Sequence, residues 1–347
     1  MNPPGDKMKK ALLLLFGFLI ISPIQARDFS FATSAEFPAT SSITFLAMNN
    51  SNYMVGSYSS VDPNINELRN HGFIFSQGIL TLDLDYSGAR DTAIRAVNNA
   101  GVAVGSARLF DFANNRLLEH GLILDGDGFQ LLDYPEALQT TLEVISNNGL
   151  IGGLYLDQFG SRGYFSYNLR TGKFKELNAR LGGTTTMDSI NNIGIISGST
   201  NDVSKAYRLR TSNNQLTISQ TPNRAVSALL SPGGNPRIFA GRYLDPQGGM
   251  KGYLSRNGAL INIMAPGADG TSVTGINNKT QLSLYGIKPG VGYQAYQYDI
   301  KTREYSMLNV NPVGESKALA INANGNIGGA VFGPNNAGLR VFVGFPQ

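Results

Sequence analysis

Val97-Asn98-Asn99-Ala100-Gly101-Val102-Ala103-Val104-Gly105 decides the fold, because the chain says it again. Ile190-Asn191-Asn192-Ile193-Gly194-Ile195-Ile196-Ser197-Gly198 is a second clear copy. Further copies begin at Asn49, Asn147, Asn277 and Asn322, and near Ser231 a degenerate copy has Ser-Pro-Gly-Gly in place of the Asn pair. The seven anchors are spaced by 49, 49, 44, 40, 46 and 45 residues. Self-similarity at such a period signals a repeat array or a closed propeller.

Each period carries a second phrase, a small residue followed by a large apolar one. The copies are His71-Gly72-Phe73, His120-Gly121-Leu122, Arg162-Gly163-Tyr164, Lys205-Ala206-Tyr207, Lys251-Gly252-Tyr253, Gln294-Ala295-Tyr296 and Arg340-Val341-Phe342. A turn follows, as at Asn257-Gly258 or Thr171-Gly172, then another alternating run such as Phe174-Lys175-Glu176-Leu177. The unit reads as strand A, the Asn-Asn-x-Gly turn, strand B, a loop, strand C opening at the second phrase, a hairpin turn and strand D. Asn and Gly suit the positive φ of tight turns. Two residues before the anchors stand Ala47, Ala96, Ile145, Ser189, Leu229, Gly275 and Ala320, mostly small. Small residues there place strand A innermost, where strands converge on an axis.

The length closes a ring. Seven units averaging (322 − 49)/6 = 45.5 residues need about 319, and the chain beyond residue 26 has 347 − 26 = 321. The chain ends on a C strand, Val341-Phe342-Val343, and opens with an orphan apolar strand, Phe29-Ser30-Phe31. The N-terminal strand is therefore expected to supply strand D of the last blade. The fold expected is an all-β, seven-bladed β-propeller of four-stranded antiparallel blades over residues 27–347, closed by its N-terminal strand; an open stack would leave the mismatched ends unexplained. Helix has room only for a turn or two between Pro135 and Ile145.

Residues 1–26 read as a signal peptide. Lys7, Lys9 and Lys10 precede an apolar run of 11 residues, Ala11 to Ile21, with Pro23 and Ile24-Gln25-Ala26 behind it. Met8 is an alternative start. The run is shorter than the about 20 residues of a bilayer span, so no membrane span is expected to remain after cleavage. The chain has no Cys, hence no disulfide framework. Together these features predict a bacterial periplasmic or secreted protein. Net charge is +4, and removal of three Lys and one Asp with residues 1–26 leaves +2. That balance, without a basic block, argues against a nucleic-acid partner.

The paired phrases, Asn-Asn-x-Gly-x-Val-x-Gly followed by His-Gly-Phe, resemble the bacterial extracellular HAF-repeat family, named for the His-Ala-Phe opening of strand C. The resemblance covers all seven units. The His survives only in Asn70-His71-Gly72-Phe73 and Glu119-His120-Gly121-Leu122, and Leu181-Gly182-Gly183-Thr184-Thr185 keeps the family's Gly-Gly-x-x-Ser/Thr. The resemblance implies an exported propeller-like fold and brings no established reaction with it.

Residues with chemical potential are mostly absorbed by the repeat. His71 and His120 occupy equivalent positions and lack a third metal partner at any recognisable spacing. Asp125-Gly126-Asp127-Gly128 opens like a calcium loop, but Phe129 stands where a third oxygen ligand belongs, so a C–D hairpin is expected. No Gly-x-Ser-x-Gly elbow is present, and Gly233-Gly234 and Gly248-Gly249 precede no helix, which leaves no catalytic, metal or cofactor assignment. One pattern exceeds the repeat. Tyr155-Leu156-Asp157 with Arg162 parallels Tyr243-Leu244-Asp245 with Lys251, both in B–C loops, and Asp202 to Lys205 is a shorter version. Against a plain hairpin ion pair stands a ligand- or partner-binding role for Tyr155, Asp157, Arg162, Tyr243, Asp245 and Lys251. The A–B and C–D turns share one face; the variable B–C and D–A loops share the other, where a scaffold carries its binding function. The expected function is an exported binding module for a protein or cell-envelope glycan on that face, without catalysis. The alternatives are a carboxylate-based polysaccharide hydrolase or lyase in the central mouth, marked by two carboxylates in one deep pocket, and a purely structural envelope protein.

Overall fold

Seven four-stranded antiparallel sheets surround one axis in the computed structural model. It describes residues 28–38, 41–62, 66–177, 185–200, 205–218, 224–233, 235, 237–310, 314–333 and 338–347. The signal-peptide reading, Leu181 to Thr184, Asp202 to Ser204 and Gly234 lie outside the described residues.

Strands A (Ser42–Met48), B (Met54–Asp62), C (Glu67–Ser76) and D (Ile79–Thr81) form blade 1 in sheet order. Blades 2 to 6 repeat that order. Blade 7 takes A (Glu315–Ile321), B (Ile327–Phe332) and C (Arg340–Pro346) from the chain end and its D strand, Phe29–Thr33, from the start. The ring is thus closed by the N-terminal strand. The segment continues past the seam: Phe37 amide donates to the Leu339 carbonyl at 2.9 Å. Its ring packs edge-on to Tyr58 and Phe73 of blade 1, at 5.2 and 5.1 Å.

The core is divided among the seams. Seven apolar clusters are present, each joining two neighbouring blades. Met54, Tyr58 and Phe73 of blade 1 meet Ala330, Val341 and Val343 of blade 7; Leu142 and Phe165 of blade 3 meet Val104 and Ile123 of blade 2. No blade buries its own faces alone, so the blades stabilise one another.

Each part of the repeated phrase has its own task. The first Asn caps the turn: Asn98 Oδ1 accepts the Ala100 and Val102 amides, both at 3.0 Å, and Asn49, Asn191 and Asn322 do the same. Positive φ falls on the Gly two places after the second Asn position, as at Gly101 (φ 83) and Gly194 (φ 74); the Asn pair itself is spared it, contrary to the sequence expectation. The second Gly, in strand B, pairs across the sheet with the large residue of strand C: Gly56 with Phe73, Gly153 with Phe165, Gly329 with Phe342. A Cβ on Gly56 or Gly329 would overlap that ring and the strand A carbonyl of Phe45 or Lys317.

The Asn turns also bind one blade to the next. Asn49 Nδ2 donates to the Asn98 carbonyl (3.1 Å), and the Asn50 amide donates to Asn99 Oδ1 (3.0 Å). The Asn99 amide donates to Asn147 Oδ1 (2.9 Å), and the Asn147 amide to Asn192 Oδ1 (3.2 Å). The Asn192 amide then reaches the Pro232 carbonyl (2.7 Å), and the Gly233 amide reaches Asn278 Oδ1 (2.9 Å). Asn277 Nδ2 donates to the Asn322 carbonyl (3.0 Å), and Asn322 Nδ2 returns to the Asn49 carbonyl (3.1 Å). Every one of the seven junctions is bridged.

Four sequence expectations are corrected. In blade 3 Phe165, not Tyr164, is the counterpart of Phe73 and Leu122, because it is Phe165 that pairs with the strand B Gly153. Ser146, not Asn147, is the structural counterpart of Asn98, because the Gly149 amide donates to the Ser146 carbonyl as Gly101 does to Asn98. Strand C of the first two blades opens at Glu67 and Arg116, well before His71 and His120. Gln139–Ile145 is strand A of blade 3, and no helix lies between Pro135 and Ile145.

The belt predicts a graded cost. Asn49→Ala removes a buried donor and the acceptor of two amides, so it should destabilise by on the order of 2–3 kcal/mol. Asn99→Ala removes one exposed acceptor and should cost under about 1 kcal/mol. Urea denaturation checks both; equal costs would mean the belt adds nothing beyond turn formation.

Candidate functional site

Strand A alternates, so every second residue looks down the axis. The residues just before the Asn turns, Met48, Val97, Ile145, Ile190 and Ile321 among them, line a cavity of about 80 Å³ at the Asn end. Higher up the strands, toward the B–C and D–A loops, a second cavity of about 280 Å³ is lined from all seven blades. Its charged walls are Arg95, Glu143, Asp188 and Arg242, and Phe45, Leu46, Leu229, Val273 and Leu319 supply apolar surface.

A bulge presents these groups. In blades 1, 2, 3, 6 and 7 the A–B register slips at Thr44, Arg95, Glu143, Thr274 and Leu319, the residues left unpaired. Bulges re-aim a side chain and are common beside functional sites. Here five of them put one residue each into the channel.

The charges interlock. Arg95 spans Glu143 at 3.2 Å and Glu119 at 3.8 Å, with its guanidinium 4.4 Å above the Phe45 ring. Arg242 donates to Ser272 Oγ at 3.2 Å. Asp188 Oδ2 accepts the Ala228 amide at 2.8 Å. Burial pushes the Asp188 carboxyl up to about 6, against the opposing pull of the Ala228 amide, Thr186 and Arg242. Burial also raises Glu143, with Arg95 opposing and Glu119 adding to the rise.

The six residues singled out in the B–C loops behave differently. Tyr155 stacks on Tyr134 with ring centroids 4.1 Å apart, and its hydroxyl donates to Glu176 at 3.1 Å. Burial and that bond push the hydroxyl up to about 12. Tyr243 is 9% exposed and packs in the seam between blades 4 and 5. Asp157 Oδ1 accepts the Phe159 and Ser161 amides at 2.8 Å, and Asp245 Oδ1 accepts the Gln247 amide at 2.8 Å. Both carboxylates hold their own loops in place of the ion pairs expected with Arg162 and Lys251. Lys251 Nζ donates to the Asp269 carbonyl at 2.9 Å, and Arg162 is exposed. The two sets do not converge: Tyr155 and Asp157 line a surface groove with Pro135, Glu136 and Phe159 that Tyr243 and Asp245 do not reach. Five of the six therefore have an intramolecular task.

The two His are likewise engaged. His71 Nδ1 lies 2.7 Å from Asp85, whose other oxygen accepts the Gly72 amide, and His120 makes the same pair of contacts with Asp133. The clasp ties strand C to the segment leaving strand D. Asp125 to Gly128 forms the C–D hairpin of blade 2, with the Asp127 amide on Asp125 Oδ1.

Arg95, Glu143, Asp188 and Arg242 escaped the sequence reading. Arg95 and Asp188 both stand three residues before their turns, a column that elsewhere is apolar or small. Anchoring blade 3 at Asn147 instead of Ser146 put Glu143 out of that column.

No protein-family model matches the sequence, and no curated protein matches it. Among solved structures the chain is similar to a prolyl endopeptidase at TM-score 0.51 and 8% identity, covering 85% of this chain and 47% of that one. It is similar to the β-propeller domain of the trilobed protease of Pyrococcus furiosus at TM-score 0.49 and 11% identity, over 67% and 74% of the two chains. It is also similar to TolB of Acinetobacter baumannii at TM-score 0.44 and 13% identity, over 88% and 79%. The chain is thus a β-propeller, spanning about half the length of the endopeptidase.

The raised Asp188 carboxyl has a measurable consequence. An acid whose folded pKa exceeds its unfolded one gains stability as pH falls through about 6 toward its ordinary value and is least stable above 6. Asp188→Asn keeps an acceptor for the Ala228 amide and has no charge to desolvate. It should melt above the wild type at about pH 7.5, with the gap narrowing by about pH 5. A pH-independent gap, or a less stable variant at the higher pH, would contradict this.

Proposed function

We propose that this chain is an exported interaction module of the HAF-repeat kind that binds a protein partner in the periplasm or outside the cell. The reading is carried by where its exposed apolar side chains lie. Of the 14 large hydrophobics exposed among the described residues, Val61, Leu68, Phe110, Phe112, Phe159, Val226, Ile287 and Val291 belong to the B–C and D–A loop side. Only Ile79 and Ile193 sit at the opposite turns. Phe112 and Phe159 are 87% and 92% exposed. The B–C hairpins of blades 1 and 2 are long, paired out to Asp62–Glu67 and Asp111–Arg116, and carry four of the eight, with Phe159 a fifth in the B–C loop of blade 3. Exposed apolar side chains concentrated on one face of a rigid scaffold, with Phe110 and Phe112 in edge contact at 4.8 Å, suit a protein-docking surface with aromatic anchors. The signal-peptide reading of residues 1–26 and the lack of Cys support export.

A photo-crosslinking residue at Phe112 should capture the partner, whereas one at Ile79 on the turn face should not. Phe112→Asp with Phe159→Asp should weaken binding at least tenfold and leave the melting temperature unchanged, because neither ring is buried. Equal capture from both faces would overturn the reading.

One observation favours a second reading. Glu143 and Asp188 share the axial cavity, and a pair of carboxylates with raised pKa values suits glycoside cleavage, one as acid and one as base or nucleophile. It requires release of reducing ends from envelope polysaccharide, abolished by Glu143→Gln; no release by the wild type removes it.

A further inference from the structure

We infer that the axial cavity is a binding site for a single neutral sugar unit. Size sets the first limit. About 280 Å³ is just below the roughly 300–1,000 Å³ of small-molecule pockets, room for one ring and not for an oligosaccharide.

Charge sets the second. Two guanidiniums, Arg95 and Arg242, face two carboxylates, Glu143 and Asp188, so the formal charges balance within the walls. A ligand with net charge would be attracted by one pair and repelled by the other, with its own desolvation uncompensated. A neutral polyol gains from both: its hydroxyls donate to carboxylate oxygens and accept from guanidinium N–H groups. Asp188 holds the Ala228 amide on Oδ2 and accepts from Thr186, and Glu143 spends Oε2 on Arg95, so each carboxylate keeps acceptor sites among its four lone pairs. Leu229, Val273 and Leu319 give the C–H face of a ring an apolar wall.

The third argument is preorganisation. Arg95 is held between two carboxylates and against Phe45, and Arg242 is held on Ser272. Polar groups already fixed in place lose little freedom when a ligand arrives. The site is distinct from the apolar hairpin tips and does not rest on the partner reading; crosslinking from Phe112 succeeds or fails without it.

The test is calorimetric titration of the full-length mature protein with glucose, galactose and N-acetylglucosamine, and with glucuronate and glucosamine as charged counterparts. At least one neutral sugar should bind at one site with a millimolar or tighter Kd. Its charged counterparts should bind at least tenfold more weakly. Asp188→Asn should weaken the neutral sugar at least tenfold, and Leu319→Trp should fill the cavity and abolish binding. Should Leu319→Trp fail to fold, Asp188→Asn decides alone, because it retains the shape and the Ala228 contact. The proposal is overturned if no neutral sugar binds at millimolar concentration, if a charged sugar binds more tightly than its neutral counterpart, or if the folded variants bind as the wild type does.

Discussion

The Asn belt at the axis is the constraint on which the other elements depend. Seven blades that each bury their faces only against neighbours have no internal reason to stop at seven. Apolar packing between sheets is tolerant of small rotations; hydrogen bonds of about 3 Å are not. Each turn must present a donor to the next turn's acceptor, and the circuit from Asn322 back to Asn49 fits only if the rotations close. Individually such bonds contribute roughly 1 kcal/mol. Together they set the radius at the axis, while the Phe29–Thr33 strand pairing with Arg340–Pro346 holds the rim.

The belt also explains why the motif is an Asn pair and not any turn-forming pair. A backbone turn needs one residue at positive φ, and Gly101 or Gly194 provides it. Asn52 (φ 61) and Thr280 (φ 65) take that place in blades 1 and 6, and the Asn52 side chain joins the belt by accepting from Asn322 Nδ2 and Asn326 Nδ2 of blade 7. Asn at the first position supplies both an acceptor for the turn's own amides and a donor for the neighbour, as Asn49 and Asn277 do. Ser146 accepts the Leu150 amide, and Ser231 in blade 5 bonds Asn278. A hydroxyl suffices where the adjoining amide completes the junction.

Strand order, blade number and ring closure were legible in the sequence because they follow from periodicity and length. The mismatched ends, Phe29-Ser30-Phe31 and Val341-Phe342-Val343, could satisfy their edges only by pairing. The axial cavity was illegible for a local reason. A β-bulge adds one residue without altering the alternation on either side, and nothing in Ala93-Ile94-Arg95-Ala96 marks where it falls. The B–C loop Tyr and Asp residues show tasks that the sequence did not mark. Aromatic and charged residues in variable loops resemble binding groups, but Asp157 and Asp245 were chosen by amides two residues on, and Tyr155 by the bare face of Gly163 beneath its ring.

Belt and bulge together give the channel its character. The belt pins the lower end of every strand A; the register slip then occurs at the same height in blades 2, 3, 6 and 7, three residues above the pinned point. Side chains re-aimed at one height form a layer, so Arg95 and Glu143 from adjacent blades meet at 3.2 Å instead of passing at different levels. The apolar residues immediately below, Val97 and Ile145 among them, separate that layer from the cavity at the Asn end. Burial is the largest influence on both Glu143 and Asp188 despite two guanidiniums in the same walls. A flatter ring with seven unbulged strands would send small residues inward throughout and leave the axis without chemistry. The repeat therefore builds the scaffold, and its bulges, with Asp188 and Arg242 from the two unbulged blades, give the axis its polar character.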